Sequence, residues 1–174
     1  MPIMQTLKDK IRNIPDFPKP GILFYDITTL LGDAAGFRET IEALAGPYKN
    51  AGIDIVVGIE SRGFILGGAV ADRIGAGFAP VRKPGKLPSS TISETYALEY
   101  GTDKLEIHDD AVRPGQRALI VDDVIATGGT ARATAALVRR LGGTVHGLAF
   151  LVELAGLNGR AQLAGEQVYS VVKY

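Results

Sequence analysis

The chain has 174 residues, of which 46% are apolar, and it contains no cysteine. This length and composition predict one domain, residues 1–174, with a substantial core, and exclude disulfides, thiolate metal sites and a cysteine nucleophile. Nineteen lysines and arginines balance nineteen aspartates and glutamates, which argues against bulk nucleic-acid binding because such domains usually carry a basic excess.

The N-terminal residues do not have the pattern of a signal peptide. Charged residues between Lys8 and Arg12 interrupt the segment before an apolar run develops. Elsewhere no stretch approaches the roughly 18 uninterrupted apolar residues of a membrane helix. The sequence therefore predicts a soluble, cytoplasmic protein that does not act at a membrane.

The first third of the chain is predicted to contain two helices separated by a proline-rich segment. Residues 4–12 can form a short polar helix. From Ile14 to Thr29, three prolines and Gly21 are expected to prevent regular structure. Asp33 can cap a helix that runs from about Ala35 to Ala51, with apolar side chains on one face.

Apolar, β-branched segments alternate with helical segments through the rest of the chain. The first of them, residues 53–59, is nearly continuous in apolar residues, which is typical of a parallel strand covered on both faces. Alternation of this kind indicates an α/β fold with a doubly wound, mostly parallel sheet flanked by helices. Further strands are predicted over 78–82, 118–121, 144–154 and 168–172, and helices over 63–74 and 129–141.

Residues 83–108 fall outside this alternation. The segment begins with a stretch rich in proline and glycine and continues as two short strands around residues 101–103. Long excursions from a compact domain are often lids or binding loops, and ligands of open α/β sheets lie beyond the carboxyl ends of the strands. We therefore expect residues 83–108 to form a flexible lid, and residues 14–30 an N-terminal hood, over a site at that edge.

The most informative segment is residues 119–130, in which an apolar strand ends in two acids and a turn of small residues opens a helix. The start of a helix offers unpaired N–H groups and a partial positive charge, which favour a phosphate. Glycines let the backbone approach a ligand closely, and threonine hydroxyls add donors. The predicted phosphate loop consists of Ala126, Thr127, Gly128, Gly129 and Thr130.

The acids before this loop, Asp122 and Asp123, would repel a phosphate. Their presence is understandable if they accept hydrogen bonds from sugar hydroxyls or face a bound cation. Neighbouring side chains of a regular strand point to opposite faces, so both acids can serve one site only if the strand ends here. The segment is neither a Walker loop nor a dinucleotide fingerprint. It predicts an enzyme that acts on a sugar phosphate.

The same segment resembles the phosphoribosyl-diphosphate signature of the type I phosphoribosyltransferases. Three further segments narrow the resemblance to the adenine phosphoribosyltransferase family: FPKPGILFYD at 17–26, ESRGF at 60–64 and LEYG at 98–101. All four occur in the family's order, and the similarity runs over nearly the whole chain. The resemblance implies transfer of the phosphoribosyl group from 5-phosphoribosyl 1-diphosphate to adenine, which forms AMP and pyrophosphate in purine salvage.

The resemblance also implies how the phosphoribosyl substrate is bound. The phosphate loop would hold its 5′-phosphate, and Asp122 and Asp123 its ribose hydroxyls. The peptide between Glu60 and Ser61 is implied to be cis. Magnesium is implied as a cofactor bound mainly through the substrate, and a homodimer is implied because part of the pyrophosphate site reaches the neighbouring subunit. Five residues are implied to bind pyrophosphate: Ser61, Arg62, Arg82, Lys83 and Lys86.

In the family the purine lies under the hood, so Leu23, Phe24 and Tyr25 are implied to bind adenine. Phe24 would stack on the purine, and backbone groups near Leu23 would contact its edge. Tyr25 stands where many relatives have arginine. Glu99 is implied as the acid/base that assists loss of the purine proton, and Tyr100 is implied to line the closed lid. No protein metal site is implied.

Two alternatives stand beside this interpretation. Another purine or pyrimidine phosphoribosyltransferase would share the phosphate loop, but the hood segment and Glu99 favour adenine. The other alternative is a non-catalytic regulator that senses 5-phosphoribosyl 1-diphosphate. Regulators that resemble this fold carry an added DNA-binding domain, for which the chain has neither spare length nor a basic face.

Overall fold

A computed structural model describes residues 3–98 and 100–174 of the chain. Short 3-10 turns cover Gly46–Tyr48, Ala155–Leu157 and Gly159–Leu163. In chain order the helices and strands are α1 (Ile3–Asp9), β1 (Arg12–Ile14), β2 (Phe24–Asp26), α2 (Thr28–Leu31), α3 (Ala34–Ala45), β3 (Ile55–Ile59), α4 (Arg62–Ile74), β4 (Gly77–Val81), β5 (Thr91–Ala97), β6 (Thr102–His108), β7 (Arg117–Ile125), α5 (Gly129–Arg140), β8 (Thr144–Glu153) and β9 (Val168–Lys173).

A five-stranded sheet forms the centre of the protein, in the order β4-β3-β7-β8-β9. Each neighbouring pair of strands is parallel. All five residues of β3 are buried, as expected for a strand covered on both faces. The predicted α/β fold with a doubly wound, mostly parallel sheet is confirmed.

Two hydrophobic clusters lie on the two faces of this sheet. Leu119 of β7 belongs to the cluster that contains Leu44 of α3 and Leu66 of α4. The next residue, Ile120, belongs to the other cluster, together with Leu137 of α5. Full burial of such a side chain stabilises the fold by about 1.5–3 kcal/mol. Both clusters therefore hold β7 in place, and β7 positions the segment that follows it.

The hood contains regular structure, so the prediction that residues 14–29 lack it is wrong in part. β1 and β2 pair as antiparallel strands, with Ile14 opposite Phe24, and Asp26 accepts a hydrogen bond from the Thr28 N–H at 2.9 Å at the start of α2. The prolines at 15, 18 and 20 lie in the connection between the two strands. There they remove no donor from the pairing.

Helix α3 begins as predicted but ends early. The Asp33 carboxylate accepts a hydrogen bond from the Gly36 N–H at 2.9 Å, which caps the first turn. The helix ends at Ala45 rather than near Ala51, because Pro47 has no backbone N–H with which to continue the helical hydrogen bonds. A 3-10 turn continues over Gly46–Tyr48 instead.

The predicted lid contains an antiparallel hairpin, in which β5 and β6 pair from Thr91–His108 to Ala97–Thr102. Its stem is not a free flap, since Tyr96 and Ile107 are buried in the cluster that includes α5. The tip is different, and Tyr100 is 82% exposed. Across residues 3–98 and 100–174, no helix has the length and apolar content needed to span a membrane.

Candidate active site

The phosphate loop follows β7 at the carboxyl edge of the sheet and opens directly into α5. Gly128 has φ +88°, in the left-handed region that glycine adopts without strain. The first hydrogen bond of the turn runs from the Arg132 N–H to the Gly128 carbonyl at 3.0 Å. The N–H groups of residues 129–131 precede that bond and have no partner within the helix. They are the donors that a helix start offers to an anion.

The acid pair does not lie at a strand end as predicted, because β7 continues to Ile125. Pairing with β3 does stop just before the acids, at Val121. Val121 and Val124 both lie against the α3–α4 cluster, whereas strict alternation would place them on opposite faces. The strand therefore departs from regular alternation at Asp122 and Asp123, and this departure allows both acids to serve one site.

Arg62, the first residue of α4, interacts with both acids, Asp122 and Asp123. Its Nε donates a hydrogen bond to Asp123. Burial alone would lower the pKa of Arg62, but the charges of Asp123 and Asp122 raise it. Arg62 therefore contacts Asp123 directly and interacts with Asp122 through its charge.

The two acids differ in their electrostatics. Burial raises the pKa of the Asp122 carboxyl well above its ordinary value, and the neighbouring charge of Asp123 raises it further. The Asp123 N–H donates to Asp122 Oδ1 at 2.8 Å, which opposes this shift only in part. A protonated carboxyl can donate as well as accept. Asp122 thus retains a proton to higher pH than an ordinary aspartate does.

The residues predicted to bind pyrophosphate lie where β3 and β4 end. The Glu60–Ser61 peptide is cis, as the resemblance implied. Arg82 donates two hydrogen bonds to Glu60 Oε2, at 3.1 and 3.0 Å, and the Lys83 N–H donates to Glu60 Oε1 at 2.9 Å. Against the effect of burial, these donors lower the pKa of Glu60. Glu60 therefore orients the start of the segment that leads into the lid.

Three of the four basic residues predicted to bind pyrophosphate form ion pairs with carboxylates. Arg62 is bound by Asp123, Arg82 by Glu60 and Lys83 by Asp103. Lys86 differs, since its side chain is exposed and its carbonyl accepts from Arg82 Nη1 at 3.3 Å. The structure thus brings the predicted cations to one edge of the sheet, with an acid beside each of the first three.

The hood contacts this edge of the sheet through Phe24, which lies beside Arg62. The guanidinium carbon of Arg62 lies 5.8 Å from the centre of the Phe24 ring, and the Phe17 ring packs edge-on against Phe24 at 5.2 Å. Tyr25 is placed differently, because its ring stacks on Tyr174 at 3.9 Å. Leu23 is exposed at the edge of the hood. Adenine contacts of Leu23, Phe24 and Tyr25 all stay predictions.

The lid touches the phosphate loop through Tyr96. The Tyr96 hydroxyl accepts from Thr130 Oγ1 at 3.4 Å and from Lys83 Nζ at 3.3 Å, and it donates to Asp103 Oδ2 at 3.2 Å. Glu99, the predicted acid/base, lies outside the residues that the structure describes. Tyr100, the next residue in the sequence, is exposed.

Comparison with known proteins identifies the family. A family model described as a phosphoribosyl transferase domain matches residues 29–171. An adenine phosphoribosyltransferase of Acidobacterium capsulatum is 59% identical over 170 residues, which is 98% of this chain and 94% of the relative. One from Parvibaculum lavamentivorans is 61% identical over 90% of both chains. The chain belongs to the adenine phosphoribosyltransferase family.

Solved adenine phosphoribosyltransferases have the same fold. The protein of Rhodothermus marinus is similar with a TM-score of 0.95 and 58% identity, covering 99% of this chain and 98% of that one. That of Saccharomyces cerevisiae, solved with adenine and D-2,5-dideoxy-2,5-imino-altritol 1,6-bisphosphate, has a TM-score of 0.91 and 39% identity over 97% and 98% of the two chains. The family predicted from the four sequence segments is confirmed.

Sequence reasoning missed several residues that shape this adenine phosphoribosyltransferase site. Glu60 lies inside the quoted ESRGF segment, and its position before Arg62 could have drawn attention to it. Tyr96 and Asp103 carry no comparable signal. Asp103 and Lys83 are 20 residues apart in the sequence, and only the pairing of β5 with β6 brings Asp103 opposite Tyr96.

Proposed function

We propose that the residues at the carboxyl edge of the sheet divide the family's reaction among them. The enzyme transfers the phosphoribosyl group from 5-phosphoribosyl 1-diphosphate to adenine and forms AMP and pyrophosphate. One observation carries the assignment of roles: the acid pair lies on the last part of β7, and the turn after β7 opens α5, whose N–H groups at 129–131 have no partner within the helix. Those groups bind the 5′-phosphate, and the carboxyl groups accept hydrogen bonds from the ribose hydroxyls.

The same arrangement supports the bond-making step. Adenine N9 forms a bond to C1′ with inversion, the C1′–oxygen bond to pyrophosphate breaks, and the proton on N9 passes to Glu99. Positive charge develops on the ribose during this exchange, and the negative charge of Asp123 beneath it is stabilising. Arg62 and Arg82 receive the departing pyrophosphate, since guanidinium groups bind phosphate oxygens in a bidentate manner.

Magnesium fits this site as an ion bound through the substrate. Among residues 3–98 and 100–174, no three His, Cys, Asp or Glu side chains are grouped so that they could hold a metal ion. Mg²⁺ commonly uses one or two carboxylates together with substrate phosphates and waters, and Asp122 and Asp123 are the carboxyl groups that could face it. When bound, it would neutralise charge on the pyrophosphate.

Adenine should be the preferred base by a wide margin. Backbone groups of the hood near Leu23 would pair with the adenine N1 and 6-amino group, and Phe24 would stack on the ring. Hypoxanthine or guanine would leave these groups buried and mismatched, which typically costs about 10⁴-fold or more in kcat/KM. Turnover assays with adenine, hypoxanthine, guanine and orotate measure this preference. Turnover of another base in place of adenine would overturn the proposal.

We also propose a homodimer that forms through the face around β4, one of the two edge strands of the sheet. Ile65 of α4 is 49% exposed, and the Phe64 ring packs edge-on against the partly exposed Phe78 at 6.1 Å. An apolar group of this kind at an edge strand favours contact with another chain. The guanidinium carbon of Arg82 lies 5.7 Å from the Phe64 ring centre, so such an interface would adjoin the predicted pyrophosphate residues.

Ile65→Lys is expected to shift the protein from dimer to monomer, because a charged group would be buried in the interface without a partner. Light scattering after size-exclusion chromatography gives the mass. Leu157→Lys is the matched control, since Leu157 is 52% exposed and lies outside this face, and it should leave the mass unchanged. A monomeric wild type, or a dimeric Ile65→Lys variant, would refute the proposed interface.

A cytoplasmic location is proposed as well. The substrate 5-phosphoribosyl 1-diphosphate carries several negative charges, and charged groups cross a bilayer only at a high free-energy cost. The enzyme must therefore share a compartment with the reactions that make this substrate. Cell fractionation with an activity assay checks the location.

A further inference from the structure

The segment after β8 folds back against the phosphate loop. A 3-10 turn covers Gly159–Leu163, and Gly159 lies directly against the loop backbone. A Cβ atom added to Gly128 would lie 2.3 Å from the Gly159 carbonyl oxygen, and one added to Gly159 would lie 2.4 Å from the Ala126 carbonyl oxygen. Both distances are far shorter than atoms tolerate, so the two backbones touch only because both residues are glycine.

Arg160 fixes this turn to the sheet. Its Nε and Nη2 donate to the two carboxylate oxygens of Glu153 at 2.7 and 2.8 Å, and its Nη1 donates to the Val168 carbonyl at 2.8 Å. Glu153 is the buried last residue of β8, and Val168 begins β9. A guanidinium held by a planar pair of hydrogen bonds has a defined position and direction. The residue after Gly159 is thus tied to the ends of two strands.

The turn also has an anchor that does not depend on this arginine. Leu163, at the other end of the turn, is buried in the hydrophobic cluster that contains Leu137 of α5. Removal of the arginine side chain therefore leaves the turn attached to the core. Without that side chain, the turn loses the restraint on Gly159, the residue that lies against the phosphate loop.

We propose that Gly159 and Arg160 are positioning residues for 5′-phosphate binding: Arg160, held by Glu153, presses the Gly159 backbone against Ala126 and Gly128 and so fixes the direction of the N–H groups at the start of α5. This inference rests on the proposed role of the loop as the 5′-phosphate site. It adds residues that touch no substrate atom and act through the shape of the loop alone. Small displacements of binding groups reduce binding and rate strongly, by about 10²-fold for 1 Å.

Arg160→Met removes the guanidinium and keeps an unbranched side chain of similar length. We expect two constants to rise about 10- to 100-fold: the Kd of ribose 5-phosphate, measured by calorimetry, and the Michaelis constant of the phosphoribosyl diphosphate substrate. The Michaelis constant of adenine should stay within about twofold, because Arg160 bonds to Glu153 and Val168 of the sheet rather than to the hood. A variant that was merely less stable would bind both substrates normally when measured well below its melting temperature.

Arg139→Met is the matched control, because Arg139 also pairs with a glutamate, Glu166 at 2.6 Å, but lies in the last turn of α5. It should leave all three constants within about twofold. Arg160→Lys, which keeps a charge beside Glu153, provides a second variant if Arg160→Met fails to fold, and should show a smaller rise of the same constants.

Unchanged ribose 5-phosphate affinity in either folded Arg160 variant would overturn the inference, as would an equal rise in the Michaelis constant of adenine. These results differ from failure of the proposed function. In that case the wild-type enzyme itself would not bind ribose 5-phosphate, and the variants would have nothing to lose.

Discussion

Glu99→Gln is expected to lower kcat by about 10²–10⁴-fold while both substrates still bind, because glutamine cannot accept the proton that adenine N9 loses. Glu99 follows Ala97, the last residue of β5, by two positions in the sequence. The stem of this hairpin is fixed, since Tyr96 is buried and contacts Thr130 of the phosphate loop. The stem is therefore attached to the loop that is proposed to hold the 5′-phosphate. Steady-state kinetics with saturating substrates measure the change in kcat.

Glu94→Gln provides the control for this experiment. Glu94 lies on β5, the strand that leads to Glu99, and pairs with Arg140 at 3.1 Å. Its replacement removes one carboxylate from the same hairpin and should leave kcat within about twofold, as expected for an exposed ion pair. A Glu99→Gln enzyme with wild-type kcat would show that another group, or water, takes the proton.

Asp122→Asn and Asp123→Asn are each expected to lower the catalytic efficiency with the phosphoribosyl diphosphate substrate by about 10- to 100-fold. Each change places an NH₂ group where the ribose hydroxyls need an acceptor, and a buried polar group left without its partner costs about 1–3 kcal/mol. Thr127→Ala removes only a neutral hydroxyl from an exposed position in the loop, and its effect should be smaller, at about 10-fold or less. Single-turnover assays compare the three variants. Equal losses would contradict the assignment of the acids to the ribose hydroxyls.

Asp122→Asn should also raise the melting temperature at neutral pH. The pKa of this buried carboxyl lies above its ordinary value, so the folded protein binds the proton more tightly than the unfolded chain does. Stability begins to fall as the pH rises past about 3.9, the ordinary aspartate pKa, and continues to fall until the pH exceeds the raised pKa of the folded protein. Asparagine does not titrate, so the gain in melting temperature should be largest above the folded-state pKa of Asp122 and should shrink in acid.

Melting curves recorded from acidic to neutral pH test this expectation. Asp109→Asn, at an exposed turn, should leave the melting temperature nearly unchanged and serves as the control. A lower melting temperature for Asp122→Asn at neutral pH would mean that the interaction with Arg62 outweighs burial. Lower activity combined with higher stability in one variant would mark Asp122 as a residue kept for function.

The central sheet could be predicted from the sequence because burial on both faces leaves a clear pattern. The apolar residues of β3 and β7 are set by the two clusters that cover them, and this requirement acts on each strand independently. The hairpin of β1 with β2 could not be predicted in the same way. Each strand has only three residues, and their pairing depends on the path of the proline-rich connection between them.

The candidate site could also be predicted only in part from the sequence. That Asp122, Arg62 and the phosphate loop would meet follows from a parallel sheet, whose carboxyl ends lie at one edge. The parallel sheet does not predict which acid pairs with which basic residue. Glu60 pairs with Arg82, and Asp103 with Lys83, across separate elements of the structure. Roles for Glu99 and Phe24 came from the family resemblance, since an isolated glutamate or phenylalanine carries no such information.

Three of the residues predicted to bind pyrophosphate are each paired with an acid, and this pairing affects the entropy of substrate binding. Arginine and lysine side chains lose about 1.5–2 kcal/mol of rotamer freedom each when they become fixed. Arg62, Arg82 and Lys83 have already lost much of that freedom to Asp123, Glu60 and Asp103. In the proposed pyrophosphate site, the ligand therefore meets side chains that were ordered during folding. Most of the cost of arranging them falls on protein stability rather than on substrate affinity.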